Sequence, residues 1–234
     1  MTQGFVDSLS FVESHRAAVY GADVPGFHER VPGLTKGERT RARLLRVAVD
    51  RFGKYGYRGT SVSQLSRDAG LTPAAAYAYF DDKETFWRMA VGADLDGLRA
   101  EVQVKAAHSE RPIIDSMAVV IEGLQTHALA RRVMVEGSAD DLRLVLAHPL
   151  FAGTTRMVAT GLAARQSTGV LPRHASAEQL ALGIETVIFS LVLSVVRAGM
   201  HEAPERIDAV VALLQAAAGG PPTAEERRAA LTEG

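Results

Sequence analysis

Cysteine is absent from the 234 residues, so the chain has no disulfide framework, no thiolate metal site and no cysteine nucleophile. The other motifs of catalysis are missing too. There is no HExxH, no GxSxG and no P-loop lysine motif, and no two of the seven histidines sit at metal-ligand spacing on one helix. No metal and no cofactor is therefore expected. Lysine is scarce, at 4 against 22 arginines. With alanine and glycine abundant, arginine richness alone says little; what informs is where the arginines cluster. Long apolar runs are also wanting. The most apolar stretch, Val187 to Val196, is about half of the roughly 20 residues that a membrane-spanning helix needs. The N-terminus carries Asp7 and Glu13 and no basic start, unlike a secretory signal. The expectation is a cytoplasmic protein of one to two domains with no membrane partner.

What is present is concentrated between Thr60 and Lys83, TSVSQLSRDAGLTPAAAYAYFDDK. Ser61 can cap a helix, with Gln64 three residues on completing a capping box. Val62, Leu65 and Ala69 fall on one face of that helix. Gly70 marks its end, because glycine adopts positive φ without steric cost. Thr72 is a second cap, and Pro73 takes the first helical position, where its missing N–H is not needed. A second short helix runs from Ala74 to Phe80, with Ala76 and Phe80 facing the first. Asp81 opens a third helix, with Glu84 as its box partner. Two short helices joined by a glycine turn are the layout of a DNA-reading helix-turn-helix. Ala74 and Ala75 are small enough for close approach to a base edge, and their methyls suit a thymine methyl. The hydroxyls of Thr72, Tyr77 and Tyr79 and the ammonium of Lys83 suit phosphates. The same pattern also fits a helical hairpin that touches no DNA.

Charge favours the first reading. From Lys36 to Arg67 there are nine basic residues, among them Arg58, opposed only by Glu38 and Asp50; the window carries +7 in a chain of net charge −1. Such asymmetry marks a nucleic-acid-binding module on an acidic partner.

Residues 35 to 91, above all TRARLLRVAVDRFGKYGYRGTSVSQLSRDAGLTPAAAYAYFDDKETF, resemble the DNA-binding domain of TetR-family transcriptional regulators. Gly56, Thr60, Gly70, Leu71, Thr72, Tyr77, Tyr79, Phe80 and Lys83 carry the resemblance. The chain departs from the family's frequent Gly-Thr at Ala74-Ala75, and from its second tyrosine at Ala78. The resemblance implies an all-α protein: an N-terminal three-helix helix-turn-helix domain, then a helical effector-binding and dimerisation domain. It implies that Thr60 and Ser61 touch phosphates, that Thr72, Ala74, Ala75 and Tyr77 face the major groove, and that Tyr79 and Lys83 hold the flanking backbone. The implied activity is that of a ligand-responsive repressor, which binds a palindromic double-stranded operator as a homodimer and is released by a small-molecule effector. A helical binding protein or enzyme with an incidental helix-turn-helix is the alternative.

The organisation expected is an extension over 1–34, the DNA-binding domain over 35–81, the helical domain over 82–218 and a flexible tail over 219–234. In the extension, Phe5, Leu9, Val12 and Val19 share a stripe, so residues 4–20 could form a docked amphipathic helix, ahead of a linker. A disordered tail or an arm reaching DNA are the other options. Helices are expected from Asp82 to His108, Pro112 to Ala130, Ala130 to Glu136, Ala139 to Leu146, Leu150 to Gln166, Ser176 to Gly199 and Pro204 to Ala218. Ser176 and Gln179 form a further capping box. Leu180, Ile184, Val187, Leu191 and Val195 make a stripe too broad for one neighbour, and Val210, Leu213 and Leu214 add a second apolar face. Both point to a two-fold dimer interface. Four polar residues lie within apolar runs and are candidates for effector contact: His127, Arg131, Arg156 and Glu185. The effector is expected to be largely apolar.

Overall fold

The computed structural model describes residues 35–106, 112–171, 174–198 and 204–217. The expected N-terminal helix and linker, and the expected tail, lie outside these residues. The described residues contain ten helices and no strand: α1 (Lys36–Tyr55), α2 (Val62–Asp68), α3 (Pro73–Tyr77), α4 (Lys83–Ala106), α5 (Pro112–Gly123), α6 (Ala128–Glu136), α7 (Ala139–Ala147), α8 (Pro149–Ser167), α9 (Ala177–Ala198) and α10 (Pro204–Ala217). They fall into two compact units, one ending at Ala152 and one beginning at Gly153. The first unit holds α1 to α3, the head, together with α4 to α7.

That unit is organised around α4. Its inner face presents Phe86, Ala90, Val91, Leu95, Leu98 and Val102, all buried. The head meets it through aromatics. Phe52 of α1 lies edge-on to Phe86 and Trp87, with centroids 6.5 and 5.1 Å away, and Phe80 stacks on Phe86 at 3.8 Å. Such pairs add to the area that large rings bury. The Trp87 indole N–H donates to Asp141 Oδ1 at 2.7 Å, tying α4 to α7. Asp141 also closes the capping box of α7 with Ser138.

Two helix boundaries differ from expectation. The start of α4 is capped by Asp82 rather than Asp81, with Thr85 N–H donating to Asp82 Oδ1 at 2.6 Å. The helix that opens at Pro112 stops at Gly123 instead of running to Ala130. The chain turns through residues 124–127, and His127 N–H donates to the Gly123 carbonyl at 2.8 Å. The reason lies in His127, which is buried and reaches back to α4. Its Nδ1 is 2.8 Å from Asp94 Oδ1 and its Nε2 is 3.5 Å from Glu101 Oε1. The other Asp94 oxygen accepts from Ala130 N–H at 2.8 Å, so a side chain of α4 caps the start of α6. Burial works to depress the imidazolium, but hydrogen bonds and charge from Asp94 and Glu101 outweigh it and raise the pKa from 6.5 to about 9. His127 is therefore charged at neutral pH. Gly97 makes room for it: a Cβ there would lie 2.9 Å from the ring.

In the second unit α9 packs on α10. Ser176 and Gln179 form the expected reciprocal cap, with distances of 3.2 and 2.9 Å. The apolar stripe is divided. Leu191 and Val195 of α9 and Leu214 of α10 are buried within the single chain, so their side chains are core rather than free interface surface, contrary to expectation. The stripe is broad enough that its C-terminal half is covered intramolecularly. Leu180, Ile184, Val187 and Val210 remain half-buried, and Leu213 is 54% exposed. The expectation that no apolar run is long enough to span a membrane is corrected here. By length and composition alone α9, with 22 residues, is long and apolar enough to cross a membrane: its most apolar 18 residues have a mean hydropathy of 2.0, and a third of that window is buried within the chain. Val187–Val196 is only the most apolar segment of that helix.

Candidate nucleic-acid interface

The reading head is built by caps. Thr35 and Glu38 close a capping box on α1, with Thr35 N–H donating to Glu38 Oε2 at 2.7 Å. Ser61 and Gln64 do the same on α2, at 3.3 and 2.9 Å. The end of α2 is fixed by Gly70 at φ 67°. Its N–H donates to Arg67 O at 3.0 Å, and Leu71 N–H donates to Ser66 O at 2.8 Å. These are the paired bonds of a Schellman stop, which needs a residue tolerant of left-handed backbone at that point. Thr72 then caps α3, its Oγ1 accepting from Ala75 N–H at 3.2 Å, with Pro73 in the first turn. An Arg51–Asp68 ion pair joins α1 to α2.

The structure sorts the expected contacts. Thr72, Ala74, Tyr77, Ser61 and Arg58 are exposed, and Tyr77 is 52% accessible. Ala75, Tyr79 and Lys83 are half-buried, while Ala76 and Phe80 turn inward. α3 is shorter than expected. It ends at Tyr77, and the Ala76 carbonyl accepts from both Tyr79 N–H and Phe80 N–H at 2.9 and 3.3 Å. That tightened turn lets Phe80 reach Phe86. Lys83 Nζ lies 4.1 Å from the centre of the Tyr57 ring, a cation–π contact that fixes where its charge sits. Thr60 departs from expectation: it is 2% exposed with its hydroxyl enclosed, so its side chain packs beneath the turn and offers nothing to a phosphate. Lys36, Arg39, Arg41, Lys54, Arg58 and Arg67 of the basic window are exposed.

The four effector candidates have separate surroundings. His127 is held by Asp94 and Glu101, and Arg131 and Arg156 are exposed. Glu185 accepts from Thr155 Oγ1 at 2.6 Å. A cleft of about 760 Å³ opens in the first unit, but it is lined by other residues, including Tyr57, Arg58, Trp87, Arg132 and Asp141. Sequence reasoning missed Asp94, Glu101 and Arg132. The first two carried a signal: they lie seven apart on α4, among the apolar positions Val91, Leu95, Leu98 and Val102, where a carboxylate must have a partner.

Residues 44–87 match the family described as bacterial regulatory proteins, tetR family. Over 101 residues the chain is 29% identical to the uncharacterised HTH-type transcriptional regulator YdgC of Bacillus subtilis, a match spanning 43% of this chain and 45% of that protein. In three dimensions it is similar to the fatty acid degradation regulator FadR of Bacillus halodurans, with a TM-score of 0.57 and 15% identity over 75% of this chain and 94% of that one. It is also similar to Thermus thermophilus FadR, a TetR-family repressor solved in complex with lauroyl-CoA, with a TM-score of 0.51 and 19% identity over 76% and 94% of the two chains. The head's capped helices and its glycine stop agree with the family match, which places a tetR-type DNA-binding segment at residues 44–87.

Proposed function

We propose that the protein is a ligand-responsive transcriptional repressor that binds a near-palindromic operator as a homodimer. The observation that carries this reading is the α2–α3 unit. It presents Thr72, Ala74 and Tyr77 outward from a rigidly capped turn, next to the window from Lys36 to Arg67, which carries a net charge of +7. The short side chains of α3 suit close approach to base edges, and the surrounding cations suit phosphates. The half-buried and exposed apolar positions Leu180, Ile184, Val187, Val210 and Leu213 support a two-fold partner, since a second copy would cover them. Two heads related by a two-fold axis read half-sites about one helical turn apart. The effector is a largely apolar small molecule, a reading supported by the acyl-CoA bound to the similar Thermus protein. Its binding in the helical body favours a form in which α4 carries the heads out of register with the operator.

Two variants test the assignment by fluorescence anisotropy on a selected operator. Tyr77→Ala is expected to weaken operator binding about tenfold, in the range of one lost base or phosphate contact, without changing the oligomeric state. Lys83→Ala should weaken binding to all sequences alike and reduce the salt slope by about one unit. Unchanged operator affinity in Tyr77→Ala would show that α3 is not the reading helix.

A further inference from the structure

The C-terminal end of α1 leaves backbone carbonyls without partners inside the helix, as any helix end does. Here a side chain from α6 takes them. Arg132 Nε donates to Gly53 O at 2.9 Å and Arg132 Nη2 donates to Lys54 O at 3.3 Å. The guanidinium thus meets the negative end of the α1 dipole and is half-buried there. Glu136, one turn further along α6, pairs with Arg132 Nη1 and holds it in place. Two glycines of the head make the seat. At Gly56, whose φ is 71°, a Cβ would lie 3.3 Å from Arg132 Nη1. At Gly53 a Cβ would lie 3.2 Å from both Ala128 Cβ and Leu129 N, so α1 and α6 meet at backbone distance. The N-terminal end of α6 is also held to α4, by Asp94 through Ala130 N–H and His127. One nine-residue helix therefore grips α1 of the head at one point and the long helix α4 at another.

We infer that Arg132 is the positioning residue that sets the orientation of the reading head on the helical body. It acts as a tertiary C-cap on α1, and through it a displacement of α6 relative to α4 is passed to the head. The inference rests on the proposed dimeric DNA reader for its functional consequence, but its structural part stands apart from DNA. Five donors in a rigid planar fork let arginine bridge two carbonyls and a carboxylate at once, a geometry that the single ammonium of lysine does not match.

The test uses the full chain with Arg132→Met, which keeps a long apolar stem, and Arg132→Lys, which keeps the charge alone. Trp87 is the sole tryptophan, and it packs against Phe52 and Tyr57 of the head. Acrylamide quenching of its fluorescence therefore reports head docking without DNA. Arg132→Met is expected to raise quenching while circular dichroism stays helical. It should weaken binding to a palindromic operator by about tenfold, the scale of one charge-assisted hydrogen bond, and leave binding to a single half-site unchanged. Arg132→Lys should fall between. A half-site loss equal to the palindrome loss, accompanied by lost helicity, would make Arg132 a residue of head stability only and overturn the inference. So would unchanged quenching. If the unaltered protein showed no preference for a palindrome, the proposed function would fail, and the quenching result would decide this inference by itself.

Discussion

His127→Ala is expected to lower the unfolding free energy by about 3–5 kcal/mol, the scale found when one partner of a buried ion pair is removed. The substitution leaves Asp94 and Glu101 enclosed without their cation, and both are less than a tenth exposed. It also frees Asp94 from the geometry that caps α6. The unaltered protein should carry the matching pH signature. A histidine whose folded pKa is about 9 against 6.5 unfolded stabilises the fold fully below pH 6.5. That contribution is lost as pH rises through about 9, and it amounts to roughly 3 kcal/mol. Thermal melts between pH 6 and 10 should show a falling Tm in the unaltered protein over this window, and His127→Ala should lack that component. A Tm that is flat over the window in the unaltered protein would show that the imidazole is neutral and the cluster is not an ion pair.

Placing a charge on the apolar face of α9 and α10 should have the second large effect. With Ile184→Asp and Leu213→Asp combined, sedimentation is expected to report monomers. Operator affinity should fall about 100-fold or more, because an unpaired carboxylate buried in an interface costs several kcal/mol and a single head binds only one half-site. Leu213 is more than half exposed and Ile184 is half-buried, so the single chain tolerates both changes. A dimer that persists in the double variant would place the interface elsewhere. Leu191, Val195 and Leu214 are unsuitable probes, since their substitution would unfold the chain they are buried in.

The head was largely legible in the sequence because its determinants are local. Ser61 with Gln64, Gly70, and Thr72 with Pro73 act within three or four residues of one another, and each forms the cap or stop that its spacing specifies. The long helices after Pro112 followed from the same signals of proline, glycine and capping serine. Legibility failed where the determinant was tertiary. Helix α5 ends where it does because His127 must reach two carboxylates on α4, some 26 to 33 residues earlier in the chain. Thr60 fits the head's motif in sequence, yet its burial is a property of the packed turn. Arg131 and Arg132 are adjacent and chemically identical in sequence. Only the helical phase of α6 sends one to solvent and the other to the carbonyls of α1. The breadth of the α9 stripe was readable, but which half the chain covers for itself was not, because that depends on how α10 packs.

The most direct test of the account is selection of bound duplexes from a random-sequence DNA library by the purified full-length protein at near-physiological salt. The account predicts enrichment of one near-palindrome, with half-sites about one helical turn apart and two protomers, or a multiple of two, on each duplex. Recovery of duplexes with no common sequence, bound no more tightly than the starting library, would contradict it.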